Sequence, residues 1–519
     1  MAEEKPKCEC TNGPHGHERC PEHKNFGARR KTDAEWVAEI RNICFDKDIK
    51  NKAGQLMPLL RDWLLSEPGM IFLTLRDTDE ILYYESGVYN RLGEKFISAW
   101  IERRMHEARC CQYMKTHLVT EVINAIIRST YVDRSIFEES PELICMDNGI
   151  LNIETNEFIP HSPDYHFLVK LPVEYDPKAE CPVFDKFLAE ILPGQKDRDS
   201  LTEFIGYCLY RKLPLHKSFM LVGSGSNGKS TFLGMLKTML GDRNVACIGL
   251  QDLEGNFTLS ALYGKLANIY PDLSNAAMKQ TGKFKALTGG DGLTTDVKFK
   301  DHMTTTFTLK MIFSCNEIPR VISDDTDAYF RRWCVITFPA KFTKETADPL
   351  LGEKLTAKKE ISGIFNKAIL ALGRLLKNKA FSNDDGIEAA RESYIRMSDP
   401  IKAFVMDEME DDESGRLEIN PEGFIPKQEL YSMYLGYCKQ KGYLPKTDDG
   451  FFKFLKPHVN AQSVRKRQEK GSVWMLQGVC LRGQKDGIPK LENTNQTLEF
   501  EPNGRKNGFI REEEVEETV

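Results

Sequence analysis

The stretch Gly223-Ser224-Gly225-Ser226-Asn227-Gly228-Lys229-Ser230 decides the fold of the chain's centre. Its pattern, G-x-x-x-x-G-K-S, lets the backbone curl so that successive N–H groups face an anion. Lys229 is suited to neutralise charge on β- and γ-phosphates, and the Ser230 hydroxyl to ligate Mg2+. With Thr231, the run forms a candidate binding loop for a nucleoside triphosphate. Upstream, Ser218-Phe219-Met220-Leu221-Val222 reads as a buried parallel strand. Downstream, Leu233, Leu236 and Leu240 fall on one helical face, and Gly241 is a candidate cap. Strand, glycine loop and helix follow in the order an anion site needs, because the helix N-terminus adds its dipole. A chance glycine turn, the competing reading, does not account for both flanks.

The rest of the composition narrows the class. A chain of 519 residues leads us to expect about two to four domains. Its 41% hydrophobic and 29% charged residues are ordinary for a globular protein. A net charge of −6 means that any nucleic-acid contact must come from local basic patches. No apolar run approaches the ~18 residues of a membrane span, and Met1 to Lys7 lack the apolar region of a signal peptide. Fourteen cysteines are scattered without a framework, so reduced thiols and a cytoplasmic location are expected. The adjacent Cys110-Cys111 reads as helix packing.

Residues 1–30 are distinct, with Cys8, Cys10, His15, His17, Cys20 and His23 close together. Such density suits tetrahedral Zn2+, with Cys8, Cys10, Cys20 and His23 (or His17) as the candidate ligand set. The spacing matches no common finger, and a solvated tail is the competing reading. From Asp33 to Asp133 apolar residues recur at helical spacing, with a hairpin expected at Glu80 to Tyr89 around Ser86-Gly87. A second small β unit is expected at Leu143 to Ile153, and helices from Pro182 to Lys212. Between Phe219 and Phe342 strand-like and helical runs alternate, which argues for an open α/β sheet. A helix is expected from Ile361 to Lys377. Beyond the acidic patch Asp407 to Glu413, a helix (Lys427 to Lys441), a short helix and a late strand pair suggest a winged helix. The acidic tail from Arg511 reads as solvated.

Three stretches after the glycine loop narrow the chemistry. Lys265 to Asp272 is an apolar strand ending on a carboxylate, which could hold Mg2+ through water. Only Asp272 is present, and Pro271 precedes it. A strand–turn with a capping Asp is the plainer reading. Thr308 to Asn316 is a second buried strand, whose terminal Asn316 amide could orient an attacking water. Ala328 to Pro339 carries Arg331-Arg332 at the start of a third. A guanidinium with fixed fork geometry suits a γ-phosphate presented by a neighbouring subunit. Arg332 is the expected finger and Arg331 its backup, with a structural ion pair as the alternative.

In this order the motifs resemble the superfamily 3 helicases of viruses, phages and plasmids. The closest likeness is to the phage/plasmid primase–helicase and poxvirus primase–helicase group. It is carried by Gly225-Ser226-Asn227-Gly228-Lys229-Ser230-Thr231, Asn316-Glu317-Ile318-Pro319 and Phe330-Arg331-Arg332-Trp333. Upstream, Asn148-Gly149-Ile150-Leu151 and Cys181-Pro182-Val183-Phe184 resemble the family's accessory domain. The acid strand departs from the family's usual two acids. The resemblance implies an α/β fold: an AAA+-type P-loop ATPase core (201–345) after a mainly helical accessory domain with small β units (31–200). A helical lid or linker (346–400), a winged-helix-like DNA-binding domain (401–485) and a disordered acidic tail (486–519) would follow.

The family's channel hairpin would fall at Lys283 to His302. There Lys298 and Lys300 flank Phe299, joining phosphate contact to a stacking face. Without the resemblance the same residues read as an exposed edge strand. A second basic cluster, Arg465-Lys466-Arg467 with Lys470, could meet phosphate from a winged helix or lie in a solvated loop. The favoured expectation is an ATP- and Mg2+-dependent replicative helicase, a homo-hexamer acting on single-stranded and forked DNA. The resemblance implies 3′-to-5′ travel, and host-cell cytoplasm if the chain is viral. Priming, with no convincing metal site before residue 200, would fall to a separate primase or polymerase. The second expectation is a replication initiator that uses ATP as an assembly switch. A small-molecule kinase is a third, and it leaves the arginine pair and the Lys-Phe-Lys segment without a role.

Overall fold

A capping box opens the first described helix. The Thr32 hydroxyl accepts from the Glu35 N–H, and the Glu35 carboxylate accepts from the Thr32 N–H, so two orphan donors are satisfied at once. The computed structural model describes residues 31–137, 140–255, 258–274, 276, 278, 280–295, 303–319, 326–411, 414–441, 443, 445–468 and 471–483. Helices α1 (Asp33–Phe45) and α2 (Lys52–Ser66) precede strands β1 (Phe72–Leu75), β2 (Ile81–Glu85) and β3 (Val88–Asn90). Helices α3 (Gly93–Glu107) and α4 (Thr116–Ser129) and strand β4 (Tyr131–Val132) complete a layer whose sheet order is β3-β2-β1-β4. The Ser86-Gly87 turn has positive φ at both residues, 51° and 96°, the geometry that matches strand twist in a tight hairpin. Trp36 stacks on Trp63, and Trp100 meets Trp63 edge-on, at the centre of this region's core. A three-stranded sheet follows, β5 (Leu143–Met146), β6 (Gly149–Asn152) and β7 (Phe158–Ile159). Its first turn is Asp147-Asn148, because Gly149 already pairs with Met146.

Helices α5 (Pro182–Ile191) and α6 (Gln195–Leu209) lead into the central sheet. It is built from β8 (Ser218–Val222), α7 (Lys229–Leu240), β9 (Val245–Ala246), α8 (Thr258–Leu262) and β10 (Ala267–Tyr270). Then come α9 (Gly282–Gly289), the hairpin β11 (Gly292–Thr295) and β12 (Met303–Thr306), β13 (Lys310–Cys315), α10 (Asp327–Phe330) and β14 (Trp333–Thr337). The five strands β14-β8-β13-β10-β9 are all parallel. Strand β8 lies between β14 and β13 and is buried along its whole length, which is why it reads as a continuous apolar run. Alternation distributes its side chains. Phe219 and Leu221 enter one core with Phe204, Phe232 and Leu236; Met220 and Val222 enter another with Phe284, Trp333 and Tyr394. Both faces of the sheet are therefore covered. Helices α11 (Leu351–Leu355), α12 (Lys358–Asn378) and α13 (Ile387–Ser398) finish this unit.

Among the described residues, those of 401–441, 445–468 and 471–483 form a second compact unit. It begins with α14 (Pro400–Val405) and continues as β15 (Leu417–Pro426), α15 (Lys427–Lys441), α16 (Asp448–Val459), β16 (Gln462–Gln468) and β17 (Gly471–Leu481). The sheet order is β15-β17-β16, wholly antiparallel. Phe404, Tyr434, Tyr437 and Phe451 pack ring against ring in its core. The chain is thus a mixed α/β protein. No described helix is long and apolar enough to cross a membrane.

Candidate functional site

The parallel register gathers the sequence-predicted residues at one edge of the sheet. Val222 pairs with Cys315 and Phe313 with Tyr270, so the carboxyl ends of β8, β13 and β10 lie side by side. Adjacent strands stand about 4.8 Å apart. Gly223 leaves the first strand, Asn316 the second, and Asp272 follows the third by two residues. Strand carboxyl ends at such an edge are where open α/β sheets bind ligands.

The glycine loop is held in an unusual backbone. Gly225, Ser226 and Gly228 all have positive φ, at 96°, 50° and 90°. A Cβ at Gly228 would stand 2.6 Å from Ile191 Cγ2, and one at Gly223 would stand 2.1 Å from Asn227 Nδ2. Close approach as well as φ therefore requires glycine. The loop is tied down from outside: Phe342 N–H donates to Ser226 O at 2.8 Å, and Asn227 Nδ2 donates to Phe338 O at 3.4 Å. Helix α7 starts at Lys229 directly after the loop, so the N–H groups of its first turn lack helical partners and its positive pole faces the cradle.

Lys229 is 6% exposed. Its ammonium donates to Gly223 O at 2.6 Å and to Asn227 Oδ1 at 3.2 Å. Burial lowers its pKa, while Cys315 and Asp272 pull it back up. Asp272 is thus an electrostatic neighbour of Lys229. Both Asp272 and Asn316 are exposed, as are Ser224, Ser226 and Ser230, with Thr231 half-buried. The acid turn is fixed to the next strand: Ser314 Oγ donates to Pro271 O at 2.7 Å, and Leu273 N–H donates to Ser314 O at 2.8 Å. These two bonds had no signal in the sequence beyond a serine inside an apolar strand. Unpartnered N–H groups, an ammonium and a nearby carboxylate suit a triphosphate and its Mg2+ by donor type.

Arg332 lies elsewhere. It precedes β14, which runs parallel to β8, so it stands at the amino edge of the sheet, away from its own chain's loop. Its guanidinium is 7% exposed and donates to Thr288 Oγ1 at 2.8 Å and to Ala328 O. The exposed member of the pair is Arg331. The same edge holds Lys310, the first residue of β13, which is 2% exposed. Its ammonium donates to Tyr210 O, to Lys212 O at 2.9 Å and to Thr308 O at 2.8 Å, 4.6 Å from the Tyr207 ring centroid. Burial pushes its pKa down to about 7.

Other expected residues divide by position. Strands β11 and β12 form an antiparallel hairpin stem, while Lys298, Phe299 and Lys300 lie outside the described residues. So do Cys8, Cys10, Cys20, His23 and Lys470. Among the described residues no cluster of three metal-binding side chains occurs. Arg465, Lys466 and Arg467 lie together on β16.

Three family models match this chain. Residues 74–193 match one described as "D5 N terminal like", residues 221–332 a family of unknown function (DUF5906), and residues 396–503 one described as "Poxvirus D5 protein-like". A protein of Acanthamoeba polyphaga mimivirus named "Putative helicase L207/L206" is 28% identical over 225 residues, 40% of this chain and 23% of that protein. "Putative helicase 121R" of Invertebrate iridescent virus 3 is 27% identical over 242 residues, 43% of this chain and 25% of that protein. The match thus spans about a quarter of either relative's length. Among solved structures, the A form apo structure of the NrS-1 C terminal region aligns with 81% of this chain and 99% of its own, at TM-score 0.45 and 13% identity. A second apo structure of that region gives 0.42 and 12%, over 81% and 98% of the two chains.

Proposed function

From a chain that belongs to the viral and phage primase–helicase family, we propose an ATP-driven replicative DNA helicase of the superfamily 3 type, working as a homo-hexameric ring. The observation that carries this reading is the convergence of the glycine loop, Asp272 and Asn316 at one sheet edge, with the arginine pair at the other. The central unit is read as an AAA+-type P-loop ATPase. The C-terminal order α14-β15-α15-α16-β16-β17 is read as a winged helix, its last two strands forming the wing.

The chain's own groups divide the work. The loop N–H groups from Gly223 to Gly228 and the first turn of α7 bind the triphosphate tail. Lys229 gives up Gly223 O and Asn227 Oδ1 for β- and γ-phosphate oxygens. Ser230 and Asp272 are the residues that would hold the metal. Mg2+, when bound, would supply charge neutralisation for the triphosphate. Asn316 orients the attacking water. An arginine at the far sheet edge cannot serve its own loop, so it serves a neighbour's. Arg331 is the member free to reach, and Arg332 holds the turn through Thr288 and Ala328. The hairpin whose stem is β11–β12 grips the DNA strand, and Lys298, Phe299 and Lys300, which lie between its strands in the sequence, supply the phosphate and stacking contacts.

A second reading, a replication initiator that uses ATP as an assembly switch, is favoured by one observation. Asp272 is the single acid at its strand end. ATPase measured with and without single-stranded DNA separates the two. DNA-stimulated turnover with unwinding of a forked duplex supports the motor. ATP-dependent assembly without stimulation supports the switch.

A further inference from the structure

The basic run on β16 is divided by strand alternation. Lys466 turns to one face, where its ammonium stands 3.0 Å from the centroid of the Phe424 ring on β15. Arg465 and Arg467 turn to the other and are exposed. The antiparallel register sets Arg465 opposite Trp474 and Arg467 opposite Ser472 on β17. Trp474 is 55% exposed, whereas Trp36, Trp63, Trp100 and Trp333 are at most 7% exposed. The next residues on β17, Met475 and Leu476, are buried, so Trp474 marks the point where the strand leaves its core. Among the described residues, no ion pair engages Arg465 or Arg467.

This combination selects an occupant. One indole is too small an apolar area to hold a protein partner by burial. Two unpaired guanidiniums about 7 Å apart along the strand, with the ring beside them, complement a polyanion that carries flat apolar groups. In a duplex each base face is covered by its neighbours, so an indole meets a base only where the base is unpaired. We propose that this face of the β16–β17 hairpin binds single-stranded DNA, with Trp474 stacked on a base and Arg465 and Arg467 on the flanking phosphates. The proposal rests on the DNA-helicase reading and extends it. It assigns Trp474 a role that the basic run alone did not suggest, and it removes Lys466 from the contact set.

The full chain carries its own probe, because Trp474 is its one exposed tryptophan. Acrylamide quenching of tryptophan emission is measured while a fluorescein-labelled oligothymidylate is titrated, its binding read separately by anisotropy. The expected result is loss of the acrylamide-accessible component as the oligonucleotide binds. Trp474→Ala is expected to weaken binding about tenfold. Trp474→Phe, which keeps a stacking face, is expected to retain most of the affinity while lacking the accessible component. Arg465→Ala and Arg467→Ala should each lower the salt dependence of log K by about one unit of slope. Oligonucleotide binding with unchanged quenching would overturn this site and leave the helicase reading standing. Equal protection by polyphosphate, which has no bases, would overturn the stacking. Protection that grows with protein concentration in the absence of DNA would assign the face to a second copy instead. No oligonucleotide binding under any nucleotide condition would remove both the site and the helicase reading.

Discussion

Two buried lysines at opposite edges of one sheet have opposite meanings. Lys229 and Lys310 are 6% and 2% exposed, both donate to backbone carbonyls, and burial lowers the pKa of both. Around Lys310 every neighbour is already in use. Three carbonyls and the Tyr207 ring enclose it, and it closes the amino edge of the sheet as a polar plug. Around Lys229 the surroundings are open: exposed Asp272, Asn316 and Ser230, and a helix start whose N–H groups have no helical partner. Burial and a shifted pKa therefore do not mark a site by themselves. What marks it is a buried charge next to groups with bonds still to make.

Substitutions at the two edges can break this contrast. The largest effect is expected at the reacting edge and its counterpart. Lys229→Ala and Arg331→Ala should each lower ATP turnover by about 10³-fold, measured as phosphate release, with thermal unfolding nearly unchanged. A large loss of stability in either would show that these residues build the fold instead. Lys310→Ala should do the reverse. It leaves a cavity and several carbonyls without a donor, at a cost of about 3 kcal/mol or more in denaturant unfolding. Turnover per folded molecule should persist.

Within the arginine pair the contrast is finer. Arg332→Ala removes the bonds to Thr288 and Ala328 and should cost about 1–3 kcal/mol of stability. A normal unfolding curve combined with lost turnover would return the finger role to Arg332. The smallest effect is expected at Gly228→Ala, about 1–2 kcal/mol from positive φ and the close approach to Ile191. A neutral result there would mean that the loop relaxes more readily than its contacts suggest.

Much of the carboxyl edge was legible in the sequence because local signals carry it. The apolar run 218–222 coincides with β8, and Gly241 ends α7 at φ 87°. Asn316 falls one residue past its strand for the same reason: a buried parallel strand must end where polarity resumes. The amino edge was not legible. Arg331 and Arg332 are chemically identical neighbours, and only tertiary packing against Thr288 decides which one is buried. Lys310 lies in a strand-like run, and nothing local foretells that Tyr210, Lys212 and Thr308 converge on its amine. The division of Arg465-Lys466-Arg467 needed the register with β17, since alternation alone cannot tell which face meets Phe424.

The central claim is that the loop of one subunit is completed by an arginine of another. Mixing two inactive variants tests it directly. Lys229→Ala subunits retain the arginine, and Arg331→Ala subunits retain the loop, so a mixed ring contains some interfaces with both intact. Each variant alone is expected to be silent, and the mixture, allowed to exchange subunits, is expected to regain ATP turnover. A mixture as inactive as its components, under conditions where subunit exchange is demonstrated by labelled protein, would contradict the account.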